Sequence, residues 1–291
     1  MKVAIASGKG GTGKTTVSAS LATVWSRPLD VMDLDVEEPN LHLFLKPKIQ
    51  SVEKAYIEVP RADEEKCNHC RACADLCQFK AISVLGEVLM VFPEMCHGCG
   101  GCLAVCPENA LFPDKRELGH LQWGMADSTG FLMGQLRVGE AMSPPLMRQA
   151  KAKLQAMRHG LDRDLIIDAP PGVSCPAVNA VMDADVIVLV TEPTPFGLYD
   201  LKLAHEAFLP LDKPMGIVIN RAGLGDDAVY DFCESEALPI WAEIPFSRDI
   251  ASAYANSRIV AQVSSELKST FVDLADHILN VHTVHREVQN A

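Results

Sequence analysis

Short apolar runs alternate with helix-length stretches along most of this chain. Such runs are typical of strands that are buried on both faces of a parallel sheet. They lie at residues 3–7, 29–32, 164–168, 186–191 and 216–220. The predicted helices lie at residues 15–25, 39–45, 144–158, 198–209 and 227–236. This alternation predicts an α/β fold with a doubly wound, mostly parallel sheet.

The pattern changes at residues 61–113, where cysteines are dense and no apolar period of helix length occurs. A shift of 29 residues superposes the first half of this segment on the second. The superposed cysteines are Cys67 and Cys96, Cys70 and Cys99, Cys73 and Cys102, and Cys77 and Cys106. The repeat predicts a small α+β module inserted into a discontinuous domain of residues 1–60 and 114–291. The pattern of residues 117–140 predicts strands or a hairpin that connects this module back to the sheet.

Composition and charge narrow the classes of function. The chain has 291 residues, 48% of them hydrophobic, which is enough for one large core and a small second module. Its net charge of -12 repels nucleic acid and anionic membranes, so we expect no nucleic-acid partner. We expect no membrane insertion, because no apolar run approaches the ~20 residues that a span needs. The absence of a signal-peptide pattern predicts a cytoplasmic protein.

Residues 8–15 satisfy the phosphate-loop pattern GxxxxGK[ST], between a predicted strand and a predicted helix. Glycines there let main-chain N–H groups converge on phosphate at a helix N-terminus. Lys14 is expected to reach the β and γ phosphates of ATP, Thr15 to bind Mg²⁺ and Thr16 to contact the α-phosphate. The nucleotide-binding residues predicted from the pattern are Gly8, Gly10, Gly11, Thr12, Gly13, Lys14, Thr15 and Thr16. A glycine-rich turn without a ligand is the alternative.

An additional lysine, Lys9, stands near the start of this loop. In this position the sequence resembles the deviant Walker A family of MinD, ParA and Mrp proteins and the nitrogenase iron protein. The resemblance implies an ATP-dependent homodimer in which Lys9 reaches the partner's nucleotide. It also implies that Asp35 orients the attacking water and helps to hold Mg²⁺, with Asp33 as the second choice. The alternatives are a solvated loop lysine at Lys9 and a helix cap at Asp35.

Residues 165–172, LeuIleIleAspAlaProProGly, match the Walker B and switch II pattern of the same family. The match implies that Asp168 binds Mg²⁺ through water and that Gly172 donates its N–H to the γ-phosphate. Asn220 resembles the residue whose amide contacts adenine in relatives, and a buried loop-capping asparagine is the alternative. The residues expected to flank the base are Pro245 and Phe246.

Each cysteine run has the spacing CxxCxxCxxxC and resembles half of a bacterial two-cluster ferredoxin. In that pattern three thiolates of a run bind one 4Fe-4S cluster and the fourth binds the other. The resemblance implies a first cluster on Cys67, Cys70, Cys73 and Cys106, and a second on Cys96, Cys99, Cys102 and Cys77. Zinc, the alternative, gives no reason for the fourth cysteine in each run. Gln78 departs from the pattern, because a proline follows Cys106 but not Cys77.

The resemblances together imply a Mg-ATP-dependent ATPase with an inserted two-cluster ferredoxin domain. Three interpretations follow: electron transfer to a partner protein, a Mrp-type carrier for iron-sulfur or metallocofactor assembly, and a redox-sensing switch that binds a partner in positioning or complex assembly. Carriers of the Mrp type commonly have a CxxC near the C-terminus, and none follows Cys106, which favours electron transfer. Cys175, just after switch II, is predicted to be a buried thiol or a redox ligand. Cys233 is predicted to lie in the core.

Overall fold

The computed structural model describes residues 1–158 and 162–289. Its strands are β1 (Lys2–Ala6), β2 (Leu29–Asp33), β3 (Lys48–Ala62), β4 (Ile82–Leu85), β5 (Val88–Val91), β6 (Leu111–Ala126), β7 (Thr129–Leu136), β8 (Asp164–Asp168), β9 (Val186–Thr191), β10 (Met215–Ala222) and β11 (Ile240–Pro245). Its helices are α1 (Lys14–Val24), α2 (Leu41–Leu45), α3 (Ala72–Leu76), α4 (Gly101–Val105), α5 (Ser143–Met157), α6 (Cys175–Val181), α7 (Pro195–Phe208), α8 (Ala228–Ser235), α9 (Arg248–Ala255) and α10 (Ser265–Gln289).

A mostly parallel sheet forms the centre of the larger part of the chain. Its strands lie in the order β11-β10-β9-β1-β8-β2-β7-β6-β3, and all neighbouring strands from β11 to β7 pair in parallel. β6 and β7 are neighbours joined by a two-residue turn, which only antiparallel strands can accommodate. The predicted doubly wound, mostly parallel sheet is therefore confirmed.

The register of the central strands brings the chemistry-bearing residues to one edge of the sheet. β8 lies between β1 and β2, with Asp168 opposite Ile5 on one side and opposite Asp33 on the other. The phosphate loop leaves β1 at this same carboxyl edge. Ligands of open α/β sheets bind outside the carboxyl ends of the strands, so the fold predicts a ligand site at this edge.

The central strands are apolar along their length because both faces are covered. Val3 and Ile5 of β1 pack in a cluster with residues of α1 and α10, whereas Ala4 and Ala6, on the opposite face, are also fully buried. On α10 the buried positions among the described side chains are Leu267, Phe271, Leu274, Ala275 and Ile278, which recur at helical spacing. The C-terminal helix therefore packs into the core. No helix of the described residues is long and apolar enough to cross a membrane.

Several elements have no counterpart among the sequence predictions. β3 has buried side chains only in its second half, so its apolar pattern is weak, and β11 is only partly buried at the sheet's edge. The strands or hairpin expected at 117–140 exist as β6 and β7, but β6 already begins at Leu111. Edge strands lack the continuous apolar signal of central ones, and this explains why β3 and β11 were missed.

The chain divides into two compact units. The first contains residues 1–52, 121–135 and 147–291, and the second contains residues 53–120 and 136–146. The second unit holds the antiparallel hairpin of β4 and β5, the short helices α3 and α4, and a small core. α3 and α4 start at equivalent places in the two cysteine runs, so the sequence repeat is also a repeat of local structure.

Candidate functional site: a phosphate loop and two sets of thiols

The phosphate loop connects β1 to α1 and depends on close contacts that exclude side chains. Gly13 caps α1 with a φ of 103°, and a Cβ there would lie 2.3 Å from Nδ2 of Asn220. That amide donates a hydrogen bond of 2.8 Å to the carbonyl of Thr12. A Cβ on Gly8 would lie 2.0 Å from the carbonyl oxygen of Asp200. Asn220 thus holds the loop, and two glycines are required by packing.

Asp168 organises the N-terminal turn of α1. Its carboxylate accepts hydrogen bonds from the Thr15 hydroxyl at 2.8 Å and the Ser18 hydroxyl at 3.0 Å. Burial raises the pKa of Asp168, while the charge of Lys14 opposes this. Burial also lowers the pKa of Lys14, against the attraction of three carboxylates. Thr15 and Asp168, predicted to act together on Mg²⁺, therefore lie in direct contact.

The two candidate aspartates after β2 occupy different environments. Asp33 is buried and accepts hydrogen bonds from the main-chain N–H groups of Asp35 at 3.1 Å and Leu41 at 3.0 Å. Burial raises the pKa of Asp33 well above its ordinary value, and the charge of Asp168 raises it further. Asp35 is only partly buried, which raises its pKa to about 6. Asp33 braces the loop, whereas Asp35 faces the neighbouring cavity.

A cavity of about 590 Å³ opens beside the phosphate loop. It brings together most of the predicted nucleotide residues, namely Gly10, Gly11, Gly13, Lys14, Thr15, Thr16, Asp35, Asn220, Pro245 and Phe246. Tyr254 and Ile250 of α9 add apolar surface, which suits a planar base. Gly8, Thr12, Asp33 and Asp168 are not among the lining residues, and neither is Gly172, whose N–H donates to the Ser7 carbonyl at 3.0 Å.

Lys9 is engaged within its own chain. Its ammonium group forms an ion pair with Glu192, which lies just beyond β9 and is nearly buried. The second carboxylate oxygen of Glu192 accepts a 2.7 Å bond from the guanidinium of Arg221. Glu192 therefore bridges two cations at the carboxyl edge of the sheet.

In the second unit, the eight patterned cysteines surround two separate cavities. One is lined by Cys67, Cys70, Cys73 and Cys106, and the other by Cys77, Cys96, Cys99 and Cys102. These are the same two groups that the ferredoxin pattern implied. The sequence repeat also carries matching contacts, because the Ala81 N–H donates to Cys77 Sγ at 3.3 Å and the Ala110 N–H donates to Cys106 Sγ at 3.2 Å.

Each donor set contains the four cysteines that a 4Fe-4S cluster would require. Among the described residues no group of three or more His, Cys, Asp or Glu could hold one metal ion. In a 4Fe-4S cluster each thiolate binds its own iron atom, so the sulfur atoms stand farther apart. The Nε2 atom of His69, which lines the first cavity, is buried without a hydrogen-bond partner. Burial raises the pKa of the Cys73 thiol, and it raises the pKa of the Cys102 thiol to about 11. Iron binding would displace these protons.

The remaining predicted positions have simple environments. Gln78 lines the second cavity, next to Cys77. Cys175 is exposed at the first turn of α6, so its expected burial is wrong. Cys233 is buried in α8, which confirms its place in the core.

Comparison with known proteins assigns this chain to a family. The sequence profile of the CobQ/CobB/MinD/ParA nucleotide binding domain matches residues 3–260. The chain belongs to that family. Within the CobQ/CobB/MinD/ParA family, the septum site-determining protein MinD of Pyrococcus horikoshii, solved with Mg-ADP, has a similar fold, with a TM-score of 0.60 at 19% identity over 95% of each chain.

Relatives of known sequence extend the comparison. An uncharacterized protein of Methanocaldococcus jannaschii is 32% identical over 283 residues, or 96% of each chain. An iron-sulfur cluster carrier protein of Pyrococcus abyssi is 23% identical over 96% of this chain and 85% of its own length. A ferredoxin of Sorangium cellulosum is 38% identical over 58 residues, which are 18% of this chain and 57% of that protein.

Sequence reasoning missed some residues of this MinD/ParA-type site. Ser18 was detectable, because it lies within one turn of Lys14 and Thr15 on the predicted helix. Glu192 follows β9 and Arg221 lies at the carboxyl end of β10, so both stand at the edge where ligands bind. Tyr254 lies on α9, which no sequence signal placed near the loop.

Proposed function

We propose that this protein is a dimeric Mg-ATP-dependent ATPase that couples its nucleotide state to two 4Fe-4S clusters and transfers electrons to a partner protein. Two sets of four thiols line two cavities in one unit of a chain that belongs to a nucleotide-binding family, and this observation carries the proposal. Clusters with four thiolate ligands are suited to electron transfer, since no ligand has to leave. The local likeness to a ferredoxin supports the same interpretation.

The residues around the phosphate loop suit hydrolysis of ATP to ADP and phosphate. Lys14 would neutralise charge on the transferred phosphoryl group, and Thr15 and Asp168 would hold the Mg²⁺ that accompanies ATP. Asp35 borders the cavity and orients the attacking water. Asn220, Pro245 and Phe246 contact the adenine, although the Asn220 amide also holds the loop. Gly172 reaches the γ-phosphate once its N–H leaves the Ser7 carbonyl.

Dimerisation requires Lys9 to exchange one anionic partner for another. In the single chain its ammonium group pairs with Glu192, and in the ATP-bound dimer it binds the partner's phosphates instead. Lys9→Ala therefore leaves ATP binding intact and abolishes the ATP-dependent dimer, as sedimentation velocity would show. A dimer that forms normally in this variant would identify Lys9 as an ordinary loop lysine.

The coupling is tested by an anaerobic redox titration, followed by electron paramagnetic resonance with and without Mg-ATP. We expect the midpoint potential of at least one cluster to change with nucleotide in the wild-type protein and to stay constant in Lys14→Ala. Identical titrations of the wild-type protein in both conditions would show that the clusters carry electrons independently of the nucleotide state.

A carrier role in iron-sulfur assembly is the second candidate. It is supported by the iron-sulfur cluster carrier protein of Pyrococcus abyssi, whose alignment covers 96% of this chain. The two roles differ in the fate of the iron. Electron transfer leaves iron and sulfide on the protein through repeated cycles, whereas a carrier loses them to an apo-protein. Incubation with an apo-ferredoxin, followed by separation and iron analysis, distinguishes them. ATPase activity that follows cluster oxidation without electron transfer would instead indicate a redox-sensing switch.

A further inference from the structure

A buried arginine lies next to the second set of thiols, which consists of Cys77, Cys96, Cys99 and Cys102. Arg116, on β6, has a side chain only 6% exposed, and its guanidinium donates a 3.3 Å hydrogen bond to the carbonyl of Cys96. A buried cation is costly unless its charge is used or balanced. The Nε–H of the same side chain is buried and has no partner.

The charge of Arg116 is balanced by Glu140, a buried carboxylate that also lies 3.7 Å from the partly exposed guanidinium of Arg137. Glu140, 2% exposed, forms an ion pair with the guanidinium and also accepts hydrogen bonds from the main-chain N–H groups of Ala141 and Met142. Glu94 contacts Arg116 as well, at 3.1 Å, but it is 66% exposed, so water screens its charge. The guanidinium bonds to both the Glu140 carboxylate and the Cys96 carbonyl, so the positive end of the buried pair faces Cys96.

The first set of thiols, which consists of Cys67, Cys70, Cys73 and Cys106, has no comparable group among the described contacts. Arg71 lines this cavity, but its side chain is exposed and donates to the carbonyl of Val84. An exposed charge acts through a high dielectric constant, whereas solvent and salt screen a buried charge much less. The two cavities therefore differ in electrostatic environment although the sequence repeat makes them similar in ligands.

We propose that Arg116 is a positioning residue that raises the reduction potential of the cluster bound by Cys77, Cys96, Cys99 and Cys102 above that of the other cluster. The inference rests on the proposed function, because it requires both clusters. A reduced cluster carries one more negative charge than an oxidised one, and a nearby cation stabilises it. Electrons entering the protein then settle on this second cluster.

The experiment is an anaerobic redox titration of the full-length protein, its clusters followed by electron paramagnetic resonance. Arg116→Gln removes the cation and leaves Glu140 buried, so the potential of the second cluster falls. We expect at least a tenfold change in its reduction equilibrium, which is 59 mV for a one-electron couple. Glu140→Gln removes the opposing charge and raises the same potential. The opposite signs separate an electrostatic role from a general disturbance, and Glu140→Gln carries the test if Arg116→Gln fails to fold.

Two controls complete the design. Lys115→Gln makes the same change of charge one residue away, on the exposed face of β6, and leaves both potentials unchanged. Cys99→Ser identifies which signal belongs to the second cluster. Potentials that stay constant in both variants, or that shift equally for both clusters, would overturn the inference alone. A wild-type protein purified anaerobically without iron and sulfide would overturn the proposed function, and the inference with it.

Discussion

Gly8 and Gly13 are positions where the phosphate loop has no room for a side chain. At Gly8 the obstacle is the main-chain carbonyl of Asp200, and at Gly13 it is the side-chain amide of Asn220. A carbonyl fixed in α7 cannot rotate away, whereas an amide can. The loop therefore owes its shape to distant residues as well as to its own sequence.

Gly8→Ala should destabilise the protein more than Gly10→Ala. The new Cβ at Gly8 would lie 2.0 Å from a carbonyl oxygen, whereas a Cβ at Gly10 meets no atom within 4 Å. We expect a loss of about 2 kcal/mol or more for Gly8→Ala and little change for the control. Thermal unfolding without nucleotide measures both. Equal melting temperatures of the two variants would show that α7 moves to accommodate the new Cβ without a measurable loss of stability.

We expect Asp35 to make the proposed ATPase reaction sensitive to mild acid. Its pKa is raised to about 6 by burial, so it is protonated below that pH and ionised above it. If its carboxylate orients water, kcat/KM for ATP falls about tenfold per pH unit below about 6, since kcat/KM reports ionisation of the free enzyme. A pH profile from 5 to 8 measures this. The Asp35→Asn variant should hydrolyse ATP slowly, with a kcat/KM that does not change over this pH range. If kcat/KM of that variant still falls at low pH, the titration belongs to another group.

At the scale of the elements, the C-terminal helix α10 packs into the core through one of its faces. Leu267, Phe271, Leu274 and Ile278 of α10 are buried in the core that contains β1 and α1. Their helical spacing was visible in the sequence, because an amphipathic helix repeats its apolar residues every three or four positions. The helix thus completes one layer over the sheet.

Phe271→Ala tests the contribution of α10. The ring is fully buried, so its removal should cost about 3–5 kcal/mol in the free energy of unfolding. Chemical denaturation measures the loss, with the exposed Lys268→Ala as control. If the two variants unfold at the same denaturant concentration, the helix contributes little to stability.

At the scale of the whole molecule, the eight patterned thiols divide between two cavities that each draw on both cysteine runs. Cys106 joins the first run and Cys77 joins the second. Because each cavity depends on both halves of the repeat, neither half can form a complete set alone.

Cys70→Ser and Cys99→Ser should each remove or alter one cluster and spare the other. Both thiols are exposed and lie in different cavities, so the folding penalty is small. Iron analysis should show about half of the wild-type content, with a different resonance signal lost in each variant. Cys175→Ser, which is exposed and outside both cavities, serves as the control. Loss of both signals in either variant would mean that the two clusters assemble as one unit.

The sequence alone determined the central strands, the phosphate loop, Asp168 and the two cysteine runs. These features depend on local periodicity and on motifs whose residues are close together in the chain. The helical spacing of the apolar residues of α10 is also visible in the sequence, whereas β3 and β11 are missed, because edge strands lack a continuous apolar run.

Only the tertiary structure decided which distant groups meet. Glu192 pairs with Lys9 across 183 residues, Asn220 holds Thr12 across 208, and Arg116 reaches Cys96 and Glu140 from a strand outside both cysteine runs. It also separated Asp33, which braces a loop, from Asp35, which faces the cavity. Such roles depend on burial and on contacts between residues that are distant in the chain. The local sequence pattern contains no information on either.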